Sequence, residues 1–134
     1  MASVETPPSP PAALPTGTRL GEFELRGVVG RSERGVVYLA FDHALEREVA
    51  IREYLPPALA ARLDGLRAGP RTRALAPAYD SGLRAFIARG RRWAHIDSPA
   101  LLRVHRLWED NGTAYLAMPA CQGTTLAEAR RARA

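Results

Sequence analysis

Lysine is missing from this chain, and all 19 of its basic residues are arginine. That bias reads as a composition effect of the whole gene rather than as a binding adaptation. Cysteine is nearly missing too: Cys121 stands alone, which excludes an internal disulfide and a cysteine metal site and agrees with a reducing compartment. No apolar run reaches the length of a membrane span, and the first residues lack a basic region followed by an apolar one. A cytoplasmic protein without membrane contact is the expectation. The net charge of +5 raises the question of nucleic acid. The arginines are scattered, however, with the densest cluster between Arg84 and Arg106 and a small one at Arg130, Arg131 and Arg133. Aromatic residues do not alternate with them as on a strand-stacking surface, which argues against nucleic acid.

What is present suits one small domain: 134 residues, 46% of them apolar and 25% charged. Residues 1–18 carry Pro7, Pro8, Pro10, Pro11 and Pro15 and are expected to form a disordered leader, leaving residues 19–134 as the domain. Phe23, Leu25 and Val28 alternate with polar residues, and Val36 to Leu39 form a second strand-like run. Between them Gly30-Arg31-Ser32-Glu33-Arg34-Gly35 reads as a turn needing a permissive backbone at both ends. A third strand runs from Glu48 to Tyr54 and stops before Pro56 and Pro57. Ala58 to Asp80 reads as a helical turn or two within a long loop. An amphipathic helix is predicted from Gly82 to Ile96, capped by Asp80 or Ser81, with Leu83, Phe86, Ile87, Gly90, Trp93 and Ala94 on its apolar face. Strands Leu101 to Trp108 and Thr113 to Met118 flank Glu109-Asp110-Asn111-Gly112, a hairpin signal. A short helix follows Gly123. The fold class expected is α+β: a five-stranded antiparallel sheet with one packed helix.

Several short motifs stand in a meaningful order. Val29-Gly30-Arg31-Ser32-Glu33-Arg34-Gly35-Val36-Val37-Tyr38 resembles the glycine-rich loop of protein kinases, with serine at the second glycine. Glu48-Val49-Ala50-Ile51-Arg52-Glu53 resembles their third strand. Ile96-Asp97-Ser98-Pro99-Ala100-Leu101-Leu102-Arg103-Val104 resembles the passage from the C-helix to the fourth strand. Asn111 to Met118 resembles the hairpin into the hinge, and Gly123-Thr124-Thr125-Leu126 the start of the next helix. The resemblance spans about residues 20 to 130. It points to bacterial serine/threonine kinases with Glu-Tyr-Leu-Pro after the third strand.

The resemblance implies a kinase N-lobe and a nucleotide site at Val29, Gly30, Ser32, Gly35, Val37, Ala50, Arg52, Met118, Pro119 and Cys121. Val37 and Ala50 would sandwich adenine, with Met118 as gatekeeper, the Pro119 carbonyl and the Cys121 N–H serving the base; equally, these positions would simply pack a core. The departures are as informative. Kinases place a lysine at the Arg52 position and a glutamate at the position that falls on Arg89. An attractive pair thus becomes two like charges. At about 4 Å and an effective dielectric near 20, the reversal amounts to several kcal/mol unless the two splay apart or share an anion.

The sequence has no His-Arg-Asp and no Asp-Phe-Gly; His105-Arg106-Leu107 lacks the aspartate. The family's magnesium ligands and its base are therefore absent from this sequence, and no metal site or catalytic residue is assigned. His43 and His95 are expected to be exposed polar residues. The leading expectation is a degenerate or truncated kinase-like module that binds ATP weakly at most and transfers no phosphoryl group alone. The alternatives are the N-lobe of a split kinase and a basic module for protein or nucleic-acid interaction through Arg84, Arg91 and Arg92. Apolar surface near Met118 and Leu126 would invite self-association, a separate kinase C-lobe or another protein on the cleft side.

Overall fold

Alternation of apolar and polar residues from Phe23 onward builds a sheet with two unlike faces, and the rest of the fold follows from what covers each. The computed structural model describes residues 11–95 and 103–120. Its strands are β1 (Arg19–Leu20), β2 (Phe23–Ser32), β3 (Gly35–Asp42), β4 (Arg47–Tyr54), β5 (Ala60–Arg62), β6 (Ala68–Pro70), β7 (Arg106–Asp110) and β8 (Thr113–Pro119), with the helix α1 (Ala76–His95) between β6 and β7. Among the described residues, six strands form one antiparallel sheet in the order β1-β2-β3-β4-β8-β7. The α+β architecture matches expectation. The sixth strand arises because Arg19–Leu20 folds back onto Phe23 and Glu24.

Residues opposite one another across antiparallel strands share a face. The register Val37↔Arg52↔Leu116 and Leu39↔Ala50↔Met118 therefore defines one face, which carries α1. Tyr38↔Ile51↔Ala117 and Val36↔Glu53↔Tyr115 define the other. Trp108 stacks there between Phe23 and Tyr115, at ring separations of 5.4 and 5.3 Å.

Glu53 is buried on that second face, only 1% exposed, and its carboxylate is fully engaged. Tyr38 donates to it at 2.7 Å and Tyr115 at 3.3 Å, and the Arg62 guanidinium grips both oxygens at 2.9 Å. Arg62 also donates to the carbonyls of Ala12 and Leu66, and the Leu14 N–H donates to the Tyr38 hydroxyl. One buried carboxylate thus joins β4 and β3 to β8, β5 and residues 12–14.

That cluster corrects two expectations. The expected free leader, residues 1–18, enters the described part at Pro11, and from there it is packed: Leu14 is 4% exposed and belongs to the core. The Gly17 N–H and Leu25 carbonyl, and the Leu25 N–H and Thr18 carbonyl, also pair. Likewise the stretch from Ala58 is not helical. It forms the β5–β6 ribbon, closed by the Leu63 N–H to the Arg67 carbonyl, because Arg62 must reach Glu53.

The helix begins six residues before the expected start, and Asp80 and Ser81 lie inside it rather than capping it. Pro77 falls in the first turn, where its missing N–H costs nothing. Gly82, the expected first residue, lies in the second turn. A Cβ there would collide with the Tyr54 hydroxyl, so glycine lets α1 approach the sheet while that hydroxyl donates to the Tyr79 carbonyl at 2.8 Å. Of the predicted apolar face, Gly90 is buried, Leu83 and Phe86 pack on the core, and Ala94 is exposed.

The expected strand Leu101 to Trp108 is shorter at its start and longer at its end: residues 103–105 precede β7, which continues to Asp110. Only Asn111 and Gly112 make the turn, with φ of 54° and 74°, the pairing a two-residue hairpin requires. The helix expected after Gly123 lies outside the described residues.

Two measurements test this packing. Replacing Arg62 by alanine leaves a buried carboxylate without its cation, and urea unfolding should show a loss of about 3–5 kcal/mol; a loss below about 1 kcal/mol would mean that Glu53 is held without it. Burial, aided by the neighbouring Tyr79 and Asp80, pushes the Tyr54 hydroxyl up to about 12, and burial also raises Tyr38, Tyr79 and Tyr115. The folded state keeps these protons where the unfolded state has lost them. This stabilisation is therefore complete below the ordinary tyrosine value of 10.0 and is lost as pH rises through the folded values. The urea midpoint should fall steadily above about pH 10, and a flat profile to about pH 12 would contradict the buried tyrosine cluster.

Candidate functional site

The hairpin joining β2 to β3 sits at the end of the sheet face that carries α1. β2 stays extended through Ser32, and Glu33 and Arg34 alone make the turn. Of the two glycines expected to need special backbone, only Gly35 does. It has φ of 149°, and a Cβ there would run into the Glu53 carbonyl. Gly30 is ordinary strand, paired with Val37.

Under this hairpin lie two adjoining cavities. One, of about 180 Å³, lies between hairpin, β4 and α1, and its lining includes Ser32, Arg34, Val37, Arg52, Phe86 and Arg89. The other, of about 290 Å³, lies beneath the hairpin itself against Gly30, Arg31, Ser32, Glu33, Arg34 and Arg52. The structure therefore brings Gly30, Ser32, Gly35, Val37 and Arg52 together, and it places Arg89 with Arg52 at one cavity. Arg34 was missed by the sequence reading, although it lies within the quoted loop. Its charge at the tip of a two-residue turn was the available signal. Phe86, Gly90, Trp93 and Leu116 also line the inner cavity, and the helical periodicity had already put the first three on one face.

The other expected site residues sit elsewhere. Val29 falls at a register shift of β2, between the paired Val28 and Gly30. Ala50 and Met118 lie opposite one another on the face that carries α1, but at 5% and 2% exposure they are packed and line neither cavity. The apolar exposure expected at Met118 is accordingly not found; Leu126 lies outside the described residues. Pro119 pairs with Val49, and Cys121 lies outside the described residues.

The electrostatics of the cleft follow from strand parity. Arg52 and Glu53 are neighbours on β4 and so project to opposite faces. Glu53 contributes to the cleft wall, yet its carboxylate is spent on Arg62 and the two tyrosines behind the sheet. Arginine does not relieve crowding by losing its proton as lysine does. The donor set suits phosphate oxygens. It does not suit a divalent cation: among the described residues no group of three or more His, Cys, Asp or Glu could hold a metal.

The helix face with Arg84 and Arg91 is mixed in charge, since Asp80 and Glu109 line the same groove. His43 pairs with Glu24 at 2.8 Å, and burial, with Arg47 next, holds the His105 pKa below its ordinary value.

A curled antiparallel sheet with one helix over a glycine-loop hairpin is the fold of the N-terminal lobe of protein kinases. Bacterial serine/threonine kinase domains are the solved structures that it resembles. The chain is 44% identical to the apo form of PpkA-294, with a TM-score of 0.76 over 80% of this chain and 38% of that one. Against the PknI kinase domain of Mycobacterium tuberculosis the values are 24%, 0.54, 80% and 36%. The chain thus spans less than two fifths of these kinase domains. No family model and no curated protein matches it. Among the described residues, no helix is long and apolar enough to cross a membrane.

If Arg52 and Arg89 repel across their shared cavity, Arg89→Glu should stabilise the fold at low salt by about 0.5–1 kcal/mol relative to Arg89→Ala, and less at high salt. Equal stability of the two variants at low salt would place the guanidinium groups too far apart to interact.

Proposed function

We propose that this chain is a kinase-like N-lobe module that binds nucleotide weakly at most and transfers no phosphoryl group by itself. The observation carrying this reading is that Arg52 and Arg89 line one cavity. Their positions are those at which the kinase resemblance calls for a lysine and a glutamate. That pair positions the α- and β-phosphates in an active kinase, and two guanidinium groups cannot form it. The sequence also offers no aspartate in a His-Arg-Asp setting to accept a hydroxyl proton. A second reading, in which the chain works with a separately supplied C-lobe, is favoured by its covering 38% of PpkA-294. In that case too, Arg52 and Arg89 would have to be accommodated, so impaired phosphate positioning is common to both readings. A cytoplasmic location accords with both.

The test is a phosphoryl-transfer assay with radiolabelled ATP and magnesium, with the chain and a generic serine/threonine substrate. No incorporation above background is expected. The paired change Arg52→Lys with Arg89→Glu should improve magnesium-ATP affinity by about ten-fold if the inverted pair is what limits binding. Measurable transfer by the unaltered chain would refute the non-catalytic reading.

A further inference from the structure

We infer that the face of the sheet opposite the cleft is a binding site for an extended peptide segment carrying a leucine, filled here by the chain's own residues 11–14, and that its occupation steadies the β2–β3 hairpin. The inference is independent of what the cleft binds.

The segment is gripped through its main chain. Arg31 Nη1 donates to the Pro11 carbonyl at 3.0 Å, Arg62 Nε donates to the Ala12 carbonyl at 2.9 Å, and the Leu14 N–H donates to the Tyr38 hydroxyl at 2.9 Å. The receiving groups are set in advance by the cluster behind them. Tyr38 spends its own proton on Glu53 at 2.7 Å, which leaves its oxygen free to accept. Arg62 spends its two terminal nitrogens on Glu53 and the Leu66 carbonyl, which leaves Nε for the segment. Leu14 supplies the side-chain part: it is 4% exposed and belongs to the core, while Ala12 faces solvent. Pro15 restricts Leu14 to extended backbone, which lowers the cost of ordering the segment. Main-chain hydrogen bonds with one side-chain pocket form a general mode of extended-peptide recognition.

The site is tied to the hairpin through Arg31. This residue belongs to β2 and pairs with Val36, next to the Ser32–Gly35 pair that closes the hairpin. Its bond to Pro11 therefore restrains the hairpin from behind. A second tie runs from the Leu55 N–H to the Arg34 carbonyl at 3.1 Å. Releasing the segment cuts one of these ties and leaves the other, so the hairpin loosens locally while the rest of the sheet stays closed.

Amide hydrogen exchange of the full chain, followed by NMR, tests both halves of the inference. Arg31→Ala should speed exchange at residues 34–37 by about ten-fold, while Ile51 and Ala117 on the inner strands stay within about two-fold of the unaltered chain. Arg31 is an exposed residue, so this variant should fold. Leu14→Ala, which empties the apolar pocket, should loosen the hairpin in the same way. A synthetic peptide of residues 10–16 at about 1 mM should then restore slow exchange in Leu14→Ala, or the folded spectrum itself if that variant has lost it. The same peptide with aspartate in place of its leucine should do neither. The unaltered chain should not respond, because its site is already filled at high effective concentration.

Unchanged hairpin exchange in Arg31→Ala would overturn the inference, as would an equal acceleration at Ile51 and Ala117, which marks loss of stability throughout. Failure of the leucine peptide to act on Leu14→Ala, or an equal effect of the aspartate peptide, would also overturn it.

Discussion

The buried Glu53 carboxylate organises this fold. It is nearly inaccessible to water and holds two tyrosine hydroxyls and a two-pronged guanidinium. Desolvating a carboxylate is expensive, and only a partner of this geometry offsets the cost. The partner comes from β5, so the β5–β6 ribbon is pinned across the sheet. The same Arg62 holds the Ala12 carbonyl, and the Tyr38 hydroxyl receives the Leu14 N–H. A chain segment that would otherwise trail in solvent becomes part of the core. Such a cluster is specific rather than merely stabilising, since removing any one member leaves a buried polar group unpaired.

The same interaction shapes the cleft on the opposite face. Strand alternation separates Arg52 from Glu53 by the thickness of the sheet, and the cluster keeps Glu53 there. Arg52 thus lines one cavity with Arg34 and Arg89. Arg89 reaches that cavity because Gly82 and Gly90 let α1 lie close to the sheet, where a methyl group would meet Tyr54 or the side chains of Leu107 and Leu116. The architecture is that of a kinase N-lobe, and Arg52 and Arg89 stand at the positions where the resemblance calls for a lysine and a glutamate.

Much of this was legible in the sequence where signals are local. Asn111-Gly112 announced its hairpin, the run Val36 to Leu39 its strand, and the spacing of Leu83, Phe86, Gly90 and Trp93 the face of α1. Motif order put Arg52 and Arg89 at one site, and both line the inner cavity. What stayed hidden depends on partners distant in sequence. Nothing near Arg62 or Leu14 shows that they meet at Glu53 and Tyr38, so the ribbon read as a loop and residues 11–18 as a free leader. The residues before Gly82 read as loop because propensity cannot see that Pro77 falls in the first turn of a helix. Ala50 and Met118 are packed, and no pattern in the sequence told packing from an open base pocket.

The central claim is the proposed one: that Arg52 and Arg89, where the kinase resemblance calls for a lysine and a glutamate, govern how this cleft meets a nucleotide. The most direct measurement is the side-chain Nε–H signals of Arg52 and Arg89, followed by NMR during titration with ATP in EDTA. Both signals should move together and saturate, and added magnesium should send them back toward their starting positions. Signals that stay still in EDTA and move only once magnesium is present would contradict the account.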